Sequence, residues 1–397
     1  MNVAEHVDAC IEEVLALRQD FHRHPELGLQ EFRTRDKVAA YLQRLDLEVR
    51  QIAPTGVVAT MQGARQGPTL LMRADMDALP IQEQSGVPFS SVNRGVMHAC
   101  GHDAHMAMLL GTAKVLTGCR NRMAGSVKFV FEPNEENAGA LMMIREGVLE
   151  SPTVDACLGA HVWTPLEFGK VGLTAGPVMA GMKHFELVVK GRGGHTAAPE
   201  TAIDPILAAS DIVQGVQLIQ TRELDPLNEP SLFMFATIHG GAAANIIPEE
   251  VVLTGTMRFM SIRSEDDPEH PRRRFERVVE HTCRAHRAEY RLSYPCGQPA
   301  LVNDPGLVAC ARAALAAMQA DGPEFGPLVT MAGEDFSEFS LRKPSVFIFL
   351  GAGNARKGAS FPHHNPRFVI DEDVLRLGVE IQVRTALQYF ASRPGGR

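Results

Sequence analysis

Short apolar runs bounded by glycine alternate in this chain with segments of helical periodicity, and few architectures satisfy both patterns. Residues 56–61, 69–73 and 126–132 are strand-length runs, and residues 104–116, between the last two, carry helical spacing. Ahead of them, Val3, Val7, Ile11, Val14, Leu15 and Leu17 predict one amphipathic helix over residues 3–20; Pro25-Glu26-Leu27-Gly28 breaks it, and residues 31–45 predict a second. Strands alternating with helices indicate an α/β layer with a largely parallel central sheet flanked by helices. Near Gly181 the texture changes. Strands over 184–190, 231–239 and 251–259, a long helix over 204–220 and a charged one over 268–290 suit a two-layer α+β domain. After Pro295 the first texture returns. Residues 1–178 and 296–397 therefore form one discontinuous domain, interrupted by an inserted domain over 179–295.

Such a plan needs a core, and the 397 residues supply one: 45% are hydrophobic and 22% charged, which excludes disorder over most of the length. No apolar stretch reaches the ~20 residues that cross a bilayer, and the opening MNVAEHVDACIEEV has acids where a signal peptide would have a basic start. These features predict a soluble, cytoplasmic protein with no membrane partner. A net charge of −8 argues against a nucleic-acid surface. The one basic run, Pro271 to Arg277, is bracketed by Glu265, Asp266, Asp267, Glu269 and Glu280 and predicts a solvated helix face. Seven cysteines, an odd number spread from Cys10 to Cys310, make no disulfide framework.

One cysteine stands apart, in His98-Ala99-Cys100-Gly101-His102-Asp103-Ala104-His105. In extended chain Cys100 and His102 share a face and can point at one ion, with Asp103 a natural orienter beside the histidine. A second segment, Phe129-Val130-Phe131-Glu132-Pro133-Asn134-Glu135-Glu136, runs a strand into adjacent carboxylates. Two such acids resist joint ionisation unless a cation neutralises one, leaving the other as a general base. His161 lies inside an apolar run, His363 and His364 follow late, and Arg73-Ala74-Asp75-Met76-Asp77 ends another strand. These groups could serve two metal ions. The glycine-rich stretches at 191–194 and 351–353 lack the spacing of a phosphate-binding loop.

In order, these motifs resemble the M20 metallopeptidase family, specifically its amidohydrolase branch that includes hippurate hydrolases. The resemblance rests on His22-Arg23-His24-Pro25-Glu26-Leu27-Gly28, Arg73 to Pro80, the run from His98 to His105, Gly191-Arg192-Gly193-Gly194-His195, Asn245-Ile246-Ile247-Pro248 and Gly333-Glu334-Asp335-Phe336. It implies two divalent metal ions per subunit, zinc or else manganese, cobalt or nickel. Cys100 would be the bridging ligand, with His102, Glu136, His161 and His364 completing the shells. Of the two late histidines His364 is chosen because the family's ligand lies two residues before a proline. Asp77 would orient a ligand. Glu135 would be the general base for a metal-activated water that cleaves the amide of an N-acyl amino acid. A dipeptidase or aminopeptidase of the same fold is the alternative. The inserted domain resembles a lid that pairs two subunits into a homodimer. His195 would stabilise the oxyanion in the neighbouring subunit, with Asn245 and Arg258 near it to hold the substrate. Asn134 departs from the small residue usual before the two glutamates.

Overall fold

The computed structural model describes residues 2–316, 318 and 322–393, and the chain divides into two compact units. The first comprises Met1–Gly176, Val302–Leu328 and Glu338–Arg397; the second comprises Pro177–Leu301 and Val329–Ser337. Where the sequence reading divides the chain after residues 178 and 295, the units divide it after Gly176 and Leu301, and residues 329–337 join the second.

The first unit holds an eight-stranded sheet. Its spatial order is Glu48–Ile52, Gly56–Gln62, Ala124–Glu132, Arg65–Asp75, Ala156–Glu167, Ser345–Gly353, Lys170–Gly172 and Glu324–Gly326. The four central strands, from Ala124–Glu132 to Ser345–Gly353, are all parallel. Ser345–Gly353 is buried throughout, the pattern of a strand covered on both faces. Helix His102–Thr117 is buried almost all round, so its register is fixed by packing rather than by one apolar stripe. At Gly111 a Cβ would come 2.6 Å from Val14 Cγ2. The single opening helix expected over 3–20 is instead two, Val3–Asp8 and Ile11–Arg23, broken at Ala9 and Cys10. Among the described residues no helix is long and apolar enough to cross a membrane.

The second unit is an antiparallel sheet in the order Ser231–Gly240, Glu250–Phe259, Gly181–Lys190, with Glu289–Ser293 and Gly297–Gln298 on the far edge. Glu250–Phe259 alternates buried and half-buried positions, as a strand with one covered face should. Phe185, Leu187, Phe233 and Leu253 form a core with Ile212 of helix Pro205–Leu218 and Phe275 and Val279 of helix Pro271–Ala285. The charged helix expected over 268–290 thus ends at Ala285, and the chain turns into a strand at Glu289.

Candidate metal centre

Parallel strands bring their carboxyl ends to one edge, and the first unit gathers its ligand-type groups there. Asp75 and Glu132 are paired last residues of neighbouring strands, and His161 lies on the next. Helix His102–Thr117 begins at the same edge. Gly101, with φ +93°, makes the turn from Cys100 into it; a Cβ there would lie 2.4 Å from Val162 Cγ2.

Cys100 Sγ lies 3.6 Å from His161 Nε2. The donor atoms of Cys100, His102 and His161 all lie within 4.8 Å of one another, and so do those of Cys100, Glu136 and His364. Two triads therefore share one sulfur. Ring tautomers are set from outside: His102 Nδ1 donates to the Asp77 carbonyl at 2.8 Å, and His161 Nδ1 to the Val162 carbonyl at 2.6 Å. Each Nε2 lone pair is left facing the thiol side. Among the described residues, buried His102 Nε2 has no hydrogen-bond partner. Glu136 Oε1 also makes no hydrogen bond, although His364 Nε2 is 3.1 Å away. Orphaned acceptors converging with a thiol fit divalent cations of the zinc class.

Burial pushes the Cys100 thiol well above its usual range, more than the neighbouring His102 ring pulls it down. Only a strongly held cation would keep a thiolate there. Burial also holds the His161 ring well below its usual range, hence neutral, as a ligand must be.

His364, at φ +64° and with its N–H bonded to the Ala99 carbonyl, turns toward Glu136. Its neighbour His363 turns away, donating to the Val162 carbonyl at 2.9 Å and stacking on Trp163. Asp77 does more than orient a histidine, since its two carboxylate oxygens accept the backbone N–H groups of Glu135 (2.9 Å) and Glu136 (3.2 Å). Asp103 does not orient His102; it pairs with Arg18 Nε and His22 Nδ1, both at 2.8 Å. Sequence reasoning missed a relay behind the ligands. His105 Nδ1 donates to Asp75 at 2.6 Å, its Nε2 accepts the Val162 N–H at 2.9 Å, and Arg73 bridges Asp75 to Glu132. The available signal was the position of His105, one turn after His102 on the same helix.

In the second unit His195 pairs with Ile246 across two short strands, and the Thr196 N–H donates to the Asn245 carbonyl, so His195 and Asn245 are neighbours. His195 Nδ1 accepts the Ala197 N–H at 3.0 Å, which leaves an exposed Nε2–H as donor. Arg258 lies on strand Glu250–Phe259 of the larger sheet of this unit, paired with Met182, and its guanidinium donates to the Met331 carbonyl.

The profile of peptidase family M20/M25/M40 matches residues 71–388. The chain belongs to that family. Thermostable carboxypeptidase 2 of Saccharolobus solfataricus and N-acetylcysteine deacetylase of Bacillus subtilis are each 35% identical to it over 384 residues, 95% of both chains. A solved Bacillus subtilis structure, described as a dinuclear metal-binding peptidase of the M20 family, is 32% identical with a TM-score of 0.82. It covers 97% of this chain and 99% of its own.

Proposed function

We propose that this M20 protein is a hydrolase of linear amides that cleaves N-acyl amino acids with two divalent cations per subunit. The sharing of Cys100 between two ligand triads carries the reading, because a thiolate common to two donor sets would let them hold two divalent cations side by side. Cys100, His102 and His161 would hold one ion, and Cys100, Glu136 and His364 the other. When bound, the ions supply Lewis-acid polarisation and lower the pKa of water toward ~7.

The remaining chemistry belongs to the protein. Glu135 Oε2 lies 3.9 Å from His102 Nε2, on a loop fixed by Asp77, and takes the proton of the attacking water before delivering it to the leaving amine. His195 Nε2–H donates to the oxygen on which negative charge develops. Asn245 and Arg258 hold the substrate's carboxylate or backbone. His195 would serve the site of the neighbouring subunit, in a cytoplasmic homodimer joined through the second unit.

Equal identity to a carboxypeptidase favours a second reading, a peptidase of the same fold. A panel of N-acetyl and N-benzoyl amino acids against unblocked dipeptides separates the two, assayed before and after chelation and metal return. Chelator-sensitive, metal-restored hydrolysis of acylated substrates is expected. Turnover of dipeptides alone, or activity that survives chelation, overturns the proposal.

A further inference from the structure

Glu31 immediately precedes helix Phe32–Arg44 and is fully buried, yet it belongs to no ligand set. Its Oε2 accepts the Thr55 hydroxyl at 2.5 Å and its Oε1 accepts the Asn134 N–H at 2.9 Å. Asn134 is the residue before the two glutamates. Three successive backbone N–H groups, those of Asn134, Glu135 and Glu136, are thus each taken by a carboxylate: the first by Glu31, the next two by Asp77. Consecutive amides make an anion-binding concavity, and charge-assisted bonds hold it firmly.

This loop needs such support. Asn134 and Ala138 have φ of +59° and +68°, a region that side chains other than glycine disfavour. Within the turn, the Asn134 carbonyl accepts the N–H groups of Asn137 and Gly139, and its side-chain amide donates to the Asn137 carbonyl. On the remaining side Gly28 leaves room for it: a Cβ there would lie 2.1 Å from Asn134 Oδ1. The segment from His24 to Glu31, which the proposed chemistry leaves without a task, therefore meets the catalytic loop at two points.

We infer that Glu31 is a positioning residue, holding Asn134 in the conformation that delivers Glu135 to the water and Glu136 to the cation. The inference rests on the proposed roles of those two glutamates and adds the brace that sets them. Glutamine at 31 can keep both bonds, with its oxygen accepting from Asn134 and its amide donating to Thr55; alanine can keep neither.

The test compares Glu31→Ala, Glu31→Gln, Gly28→Ala and the double variant Gly28→Ala with Asn134→Gly. Metal content after dialysis, kcat and KM on an N-acyl amino acid, and thermal midpoint are measured for each. Glu31→Ala should hold metal about 10–100-fold more weakly, the usual effect of removing an outer partner. Its kcat should fall about as far, with KM little changed, and Glu31→Gln should recover both. Gly28→Ala should reproduce the loss without touching Glu31, and Asn134→Gly should restore function by removing the clash and the strain together. Wild-type metal content and kcat in folded Glu31→Ala would overturn the assignment. If that variant does not fold, the glycine pair decides: Gly28→Ala without effect, or no recovery in the double variant, overturns it equally. Metal content that follows this pattern in a wild type inactive on acyl amino acids would sink the substrate reading and leave the brace standing.

Discussion

At the scale of single residues, Glu135 and Glu136 are adjacent, share Asp77 as backbone acceptor and both cluster with His102, yet only Glu136 also belongs with Cys100 and His364. Glu135→Gln should therefore retain metal and lose about 10²–10⁴-fold in kcat, the usual worth of a positioned proton carrier. Glu136→Gln should lose metal first. Metal analysis beside single-turnover kinetics checks the split, and equal metal content with equal residual activity would undo it. Cys100→Ser should weaken occupancy by both ions, because an alcohol stays protonated where a thiol beside two cations ionises; two tightly retained metals would count against the bridge. Sequence pattern made these groups visible, since thiol, imidazole and paired acids at strand ends are rare as idle decoration. It did not reveal how His105 and Glu31 are held, because their partners include the Val162 amide and the Asn134 amide, backbone groups brought near only by folding.

Elements were legible where burial imposes a period and illegible where it does not. The central strands are continuous apolar runs, but the edge strands Glu48–Ile52 and Glu289–Ser293 are mostly exposed and carry no such signal. Helix Pro271–Ala285 shows a cap that sequence preference would not choose. Buried His270 accepts the Arg272 N–H through Nδ1 at 3.1 Å while its ring packs edge-on against Phe259. An accepting nitrogen must be unprotonated, and burial holds this ring down to about 4. An unfolded histidine titrates near ~6.5, so between these values the unfolded chain binds a proton that the folded chain refuses. Stability therefore rises with pH across that window and is lost as pH falls through it. His270→Asn keeps a capping oxygen without a titrating ring. Urea midpoints at pH 7 and 4.5 should show the wild type losing about 2–3 kcal/mol more than the variant on acidification. An equal loss in both would mean that this cap does not titrate.

For the whole molecule, the decisive feature is the edge that the second unit leaves open, since His195 is proposed to serve the site of a second copy. The outer strand Ser231–Gly240 offers an unpaired edge, with Leu232 41% and Met234 57% exposed on the face shared with Thr256 and Arg258. An open edge with apolar side chains is a natural seam for a two-fold pair. Light scattering at micromolar concentration should report a dimer, and Met234→Lys should shift it toward monomer and lower activity without emptying the metal site. Hybrids give the sharper test. His195→Ala lacks the donor, Glu135→Gln lacks the base, and each homodimer should be nearly inactive with its metals in place. After the two proteins exchange subunits, a hybrid has one site whose Glu135 is intact and whose His195 comes from the other chain. At an equal mixture half of the dimers are hybrids with one working site each, so about a quarter of wild-type activity should return. If mass spectrometry shows hybrids while the mixture stays inactive, His195 serves its own chain or none.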